Sequence, residues 1–240
     1  MSDYLEVYET IIERLKHESF LSEFQFKKSY EAFKRVDKYG WFEVGLYKSK
    51  IPSWWMKAND GYQVTTDFLL IEPTSRRRFN ILSDWFSPFS LLDKKERTRV
   101  AHAYIDSSEL DFDHDFVFSL DLSNYETEYN RLQNSVKTLT LRIVNDYSNL
   151  KQYYLNNIHP LFETPPNKYA HGVTWVFDYL FVTRLLYPEK YSELKDVLFQ
   201  HLEALKERKE PNYEEYEPQI PEIISTLERE ADKLRPKLEL

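Results

Sequence analysis

The sequence predicts an α+β fold: an antiparallel sheet of about four to five strands, with an N-terminal helix, one long helix and a helical C-terminal third. Three observations predict it. Apolar residues recur at threes and fours over the first fifteen positions, short aromatic and β-branched runs separated by turn residues fill positions 30 to 120, and helical spacing returns from about residue 125 to the end. Strands grouped between helices, without a strand–helix alternation, point to an antiparallel sheet instead of doubly wound β-α units.

The first helix carries Tyr4, Leu5, Tyr8, Ile11, Ile12 and Leu15 on one stripe, and Ser2 is the candidate cap, with an end expected near His17 to Ser19. YEAFKRV and WFEVGLY read as two strands joined by Asp37-Lys38-Tyr39-Gly40, where the glycine supplies a positive φ for a hairpin. KIPSWWMKANDG is a loop by its Pro52 and Asn59-Asp60-Gly61, and YQVTTDFLLIE is a third strand. A short helix is expected to open at Thr74 or Ser75 and to run through Phe79, Leu82 and Phe86 until Pro88 closes it. RTRVAHAYID admits both periods and is read as a strand. HDFVFSLDL is a clearer one, with Phe116, Phe118 and Leu120 on one face and Val117 on the other.

Ser123 and Glu126 have capping-box spacing at the start of the longest helix, which Tyr129, Leu132, Val136, Leu139, Ile143, Tyr147, Leu150 and Tyr154 extend for some thirty residues until His159-Pro160. TPPNKYAHG is the linker candidate, so residues 1–160 are expected to form an α+β domain and 161–240 a helical region packed on it. Val173 to Tyr187 is apolar nearly all round and should be buried. Tyr191, Leu194, Leu198, Leu202 and Leu205 form a one-sided stripe, and a last helix carries Ile223, Ile224, Leu227, Ala231 and Leu234.

Totals narrow the function. There is no cysteine, which removes thiolate catalysis and zinc ribbons, and the net charge of -8 repels phosphate backbones, making nucleic acid an unfavoured partner. The N-terminus lacks the pattern of a secretory signal, and no apolar stretch reaches membrane-spanning length, so a cytoplasmic protein without a membrane partner is expected.

Asp111, Asp113 and Asp115 in LDFDHDFVFSLDL are the nearest approach to a chemical motif. As a calcium loop they fail, because position six is Phe116 in place of glycine and position twelve is Leu122 in place of glutamate. On an extended backbone the three aspartates share one face while His114 points to the other, which makes them the solvated lead-in to a strand. A metal-dependent hydrolase or nuclease using them is the alternative function.

Arg76, Arg77 and Arg78 are the compact basic run, expected on a helix as solvated residues paired with nearby acids; anion or nucleic-acid binding through them is a further alternative. Trp54, Trp55 and Met56 are residue types that anchor protein interfaces and are the candidate partner-binding residues. Asp178 and Arg184 interrupt the apolar helix six positions apart, so each is expected to meet another element. The histidines show no metal spacing and the four glycines make no phosphate loop, so no cofactor and no metal are expected.

The N-terminal amphipathic helix, the hairpin YEAFKRVDKYGWFEVGLY, the capped long helix and the tail DYLFVTRLLYPEKYSELKDVLFQHLEALKER together resemble uncharacterised bacterial α+β proteins, some of which are similar to immunity partners of secreted toxins. That resemblance implies an acidic, cytoplasmic, non-catalytic binder of another protein and transfers no functional residue. The expectation is therefore a protein that masks or docks another protein and is not an enzyme.

Overall fold

In the computed structural model the described residues are 3–52, 67–106, 115–164 and 172–237. The fold is α+β, as the pattern of periods predicts. The chain divides into two compact units, one of residues 1–78 and 103–145, the other of residues 79–102 and 146–240.

The first unit opens with α1 (Tyr4–Leu15), which buries Val7, Tyr8, Ile11, Ile12 and Leu15. Its cap is Asp3, not the expected Ser2: the Asp3 carboxylate and Glu6 satisfy the first backbone N–H groups reciprocally. A six-stranded sheet follows among the described residues, built from β1 (Gln25–Lys27), β2 (Ala32–Asp37), β3 (Gly40–Ile51), β4 (Phe68–Phe79), β5 (Ala103–Asp106) and β6 (Phe116–Ser119). The order is β1-β2-β3-β4-β5, with β6 also on β4; β6 pairs Phe68 to Ile71 and β5 pairs Thr74 to Arg77. The β2–β3 hairpin turns where the sequence places it. Asp37 Oδ1 accepts from the N–H groups of Tyr39 and Gly40, each at 2.9 Å, and Gly40 takes φ 155°.

Alternation sorts the sheet into two faces. One carries Phe33, Phe42, Val44, Leu46, Leu69, Ile71 and Phe118, all fully buried or nearly so. The helix α4 (Tyr125–Asp146) belongs to this side: Tyr125 packs on Phe118 at 5.8 Å, and the Arg131 guanidinium lies 5.6 Å from the Phe116 ring centre. The opposite face carries Lys34, Glu43, Arg76 and Tyr104.

Other expectations fail locally as well. The helix foreseen from Thr74 is the second half of β4, and the helix α2 (Asn80–Phe86) starts only after it, closing before Pro88 as foreseen. The three arginines are therefore strand residues, and their cross-strand partners decide it: Arg77 finds both Asp37 oxygens, and Arg76 pairs with Glu43. The Ser123–Glu126 capping box is absent. The Ser123 N–H donates to Asp121 at 2.9 Å and Glu126 accepts from Arg14 at 2.8 Å, while Asn124 ties the helix start to β6 by accepting from Ser119 N–H and donating to the Val117 carbonyl.

The long helix is also shorter than its stripe. It stops at Asp146, and Asn149 caps a new turn, α5 (Leu150–Tyr153), by accepting from the N–H groups of Lys151 and Gln152.

In the second unit α2 and the four-residue α3 (Lys94–Arg97) precede α5, α6 (Val173–Leu186), α7 (Tyr191–Glu207), the short α8 (Tyr213–Tyr216) and α9 (Ile220–Leu234). Helix α6 is buried on most of its circumference, as its composition requires. Trp85 stacks on Phe181 at 4.8 Å and Phe86 on Phe177 at 5.8 Å, joining α2 to α6. Arg184 meets α9, as a charge inside an apolar helix must: two of its nitrogens donate to the Asp232 carboxylate at 3.1 and 2.7 Å. No helix among the described residues is long and apolar enough to cross a membrane.

Candidate functional site: a cleft in the second unit

A cleft of about 430 Å³ lies within the second unit, a size in the range of ordinary small-ligand sites. Its walls are apolar, with Leu82 and Phe86 from α2 and Val173 from α6. Leu91, Leu92 and Val100 line it from the segment after α2 and are 46, 41 and 37% exposed, so the apolar lining continues outward onto the surface. Polar groups enter at Ser83, Arg97, His102, Asp178, Glu210 and Tyr216.

The amphipathic period of α2 explains why Ser83 reaches the cleft while Trp85 packs on α6. His102 immediately precedes β5. Its Nδ1 accepts from the Phe79 backbone N–H at 3.0 Å, and its Nε2 lies 3.4 Å from Ser83 Oγ. An acceptor at Nδ1 places the imidazole proton on Nε2, the nitrogen that faces the serine. A serine nucleophile needs the reverse arrangement, with Nε2 free to take the hydroxyl proton and Nδ1–H held by an acid. The pair is therefore arranged for His102 to donate to Ser83, which suits orientation of a hydroxyl and not its activation.

Asp178 projects from the buried helix toward the same cleft. Burial pushes its carboxyl well above the usual carboxylate range, and the Trp85 indole N–H, the polar group it faces, works against that without forming a bond of normal geometry. Tyr153, Tyr179 and Tyr216 also feel its charge, and burial raises all three phenols. The Tyr216 oxygen accepts from Leu91 N–H at 3.4 Å, fixing the apolar lip to α8. Arg97 is held in place by donating to the Ser87 and Leu92 carbonyls at 3.4 and 3.2 Å. The cleft thus gathers a buried carboxyl, an anchored guanidinium and an imidazole between apolar walls.

The residues singled out from the sequence fall elsewhere. Trp54, Trp55 and Met56 lie outside the described residues, as do Asp111, Asp113 and His114; Asp115 is exposed just ahead of β6. The arginine run is divided. Arg77 is wholly buried on the core face, with its guanidinium 3.9 Å from the Phe42 ring centre and 3.0 to 3.1 Å from the Asp37 oxygens, while Arg76 turns to the other face. The expected solvated helical arginines are corrected accordingly. Among the described residues no group of three His, Asp or Glu side chains is placed to hold a metal ion.

Sequence reasoning marked Asp178, because a carboxylate inside an apolar helix is visible as a break in pattern. It missed Ser83 and His102, which are nineteen positions apart and share no local signature. Comparison of the chain with known protein families, with curated proteins and with solved structures returns no match.

Proposed function

We propose that this chain is a non-catalytic binding protein that docks another protein, and that the cleft of its second unit receives an apolar side chain of that partner. The observation that carries the reading is the apolar lip. Leu91, Leu92 and Val100 extend the lining beyond the cavity, a surface that a small ligand inside would leave wet and that a macromolecule around an inserted anchor would cover.

Charge supports a basic partner. Glu210 lines the cleft, and Glu214 and Glu215 are exposed on the adjoining α8, so cationic residues beside the anchor would be steered toward it. The His102 tautomer supports a role without a serine nucleophile. Trp54, Trp55 and Met56, and a cytoplasmic location, belong to the same proposal.

The test is a titration followed by amide NMR, using a short peptide with one phenylalanine between lysines and the same peptide with glycine in place of the phenylalanine. Saturable shifts confined to residues 82–102, 172–178 and 210–216 are expected for the first peptide alone. Leu92→Asp should abolish them while leaving the remaining spectrum unchanged. Equal shifts from the glycine peptide, or undiminished shifts in the variant, would reject the cleft as the docking site.

A further inference from the structure

The cleft of the second unit holds a polar group that its surroundings do not satisfy. Asp178 lines the cavity, and among the described residues no hydrogen bond of normal geometry and no ion pair reaches its carboxyl. The indole N–H of Trp85, the polar group it faces, is itself without a partner. Arg97, the guanidinium of the same cleft, donates to the Ser87 and Leu92 carbonyls.

The carboxyl is reachable. Thr174 stands one helical turn before Asp178 on the same face of α6 and is exposed, and Asp178 keeps part of its own surface open, so it borders the cavity and is not sealed in packing. Around it the lining is apolar and aromatic, with Leu82, Val173 and the rings of Phe86 and Tyr216, whose centres lie 5.9 Å apart.

These features restrict the occupant. Aromatic and aliphatic walls favour a ring, and a carboxyl without a partner calls for a hydrogen-bond donor at the tip of that ring. A cation suits the place less well: burial raises the Asp178 carboxyl, so an entering ammonium must draw it into the ionised form while losing its own hydration. A hydroxyl needs neither, because it donates to a carboxylate and pairs equally with the protonated acid.

We propose that the anchor received by the cleft is a tyrosine, its ring held between Phe86, Tyr216 and the aliphatic walls and its hydroxyl donating to Asp178. This assignment rests on the docking reading above and adds the identity of the anchor. Cationic neighbours of that tyrosine stay outside, beside Glu210 and the exposed Glu214.

The test is an amide NMR titration of the full chain with short peptides that differ only in the residue between their lysines: tyrosine, phenylalanine or O-methyltyrosine. The tyrosine peptide should bind at least about tenfold more tightly than the phenylalanine peptide, the gain of one hydrogen bond to an ionisable group. O-methyltyrosine keeps the oxygen and removes the donor, so its peptide should show none of that gain. In Asp178→Leu, which keeps α6 apolar, the tyrosine and phenylalanine peptides should bind alike. Equal affinities in the unsubstituted chain, with shifts confined to the cleft, would overturn the tyrosine anchor and leave the docking site standing. A tyrosine preference undiminished by O-methylation or by Asp178→Leu would overturn the bond to Asp178. Absence of cleft shifts from every peptide would overturn the anchor together with the docking reading.

Discussion

Asp178 shows how strongly one side chain depends on what folds around it. In an unfolded chain its carboxyl titrates near 3.8; in the fold, burial holds it far higher. As pH rises from the ordinary carboxylate range toward the folded value, the unfolded chain releases a proton that the folded chain keeps, so this group lowers stability progressively and then by a constant amount. Asp178→Asn should therefore raise the melting temperature at neutral pH, with the gain vanishing as pH falls to about 4; a gain that persisted unchanged in acid would refute the burial-raised carboxyl. Arg77 presents the opposite case, a buried cation held by Asp37 and the Phe42 ring. Removing the Asp37 carboxylate takes two hydrogen bonds from a buried guanidinium, so Asp37→Ala should cost about 3 kcal/mol in denaturant titration. A loss below about 0.5 kcal/mol would place the pair among solvent-screened surface bridges.

At the scale of elements, β4 carries the largest departure from local expectation. In FLLIEPTSRRRF the apolar period of two weakens after Ile71, and serine, threonine and arginine then read as the capped first turn of a helix. The strand persists because alternate residues find partners on two faces: Arg77 toward Asp37 in the core, and Arg76 toward Glu43 on the opposite face. Its fit against β3 is close where Gly45 lies under Thr74. Gly45→Ala should destabilise by about 1–2 kcal/mol through overpacking, and Thr74→Ala in the same chain should recover most of that. Strict additivity of the two substitutions would show that they do not touch. The end of α4 teaches a related lesson. Its stripe continues through Tyr147, Leu150 and Tyr154, yet Asn149 stops and restarts the helix with its side chain, a local signal that periodicity alone overlooks.

For the whole molecule, chain order and compact units do not coincide. Residues 79–102 belong with 146–240, and their contribution is substantial, since Trp85 and Phe86 stack on Phe181 and Phe177 of the helix α6. The segment 146–240 made alone would expose those rings. It should show helical far-UV circular dichroism with little near-UV signal and no cooperative melting. A sharp cooperative transition in that fragment would show that α2 is dispensable to the core.

Much of this architecture was legible from residue order. The stripes of α1, α7 and α9, the all-round apolar run of α6, the hairpin at Gly40 and the strand at Phe116 follow from period and turn chemistry, which act between neighbours along the chain. Asp178 and Arg184 were visible as charges out of place, and Asp232 supplies the second element Arg184 required. The strand state of Arg76 to Arg78, the meeting of Ser83 with His102, and the pairing of Arg76 with Glu43 depend on partners tens of residues away. A side chain's protonation, burial and usefulness are set by those distant partners, and only the tertiary structure brings them within reach.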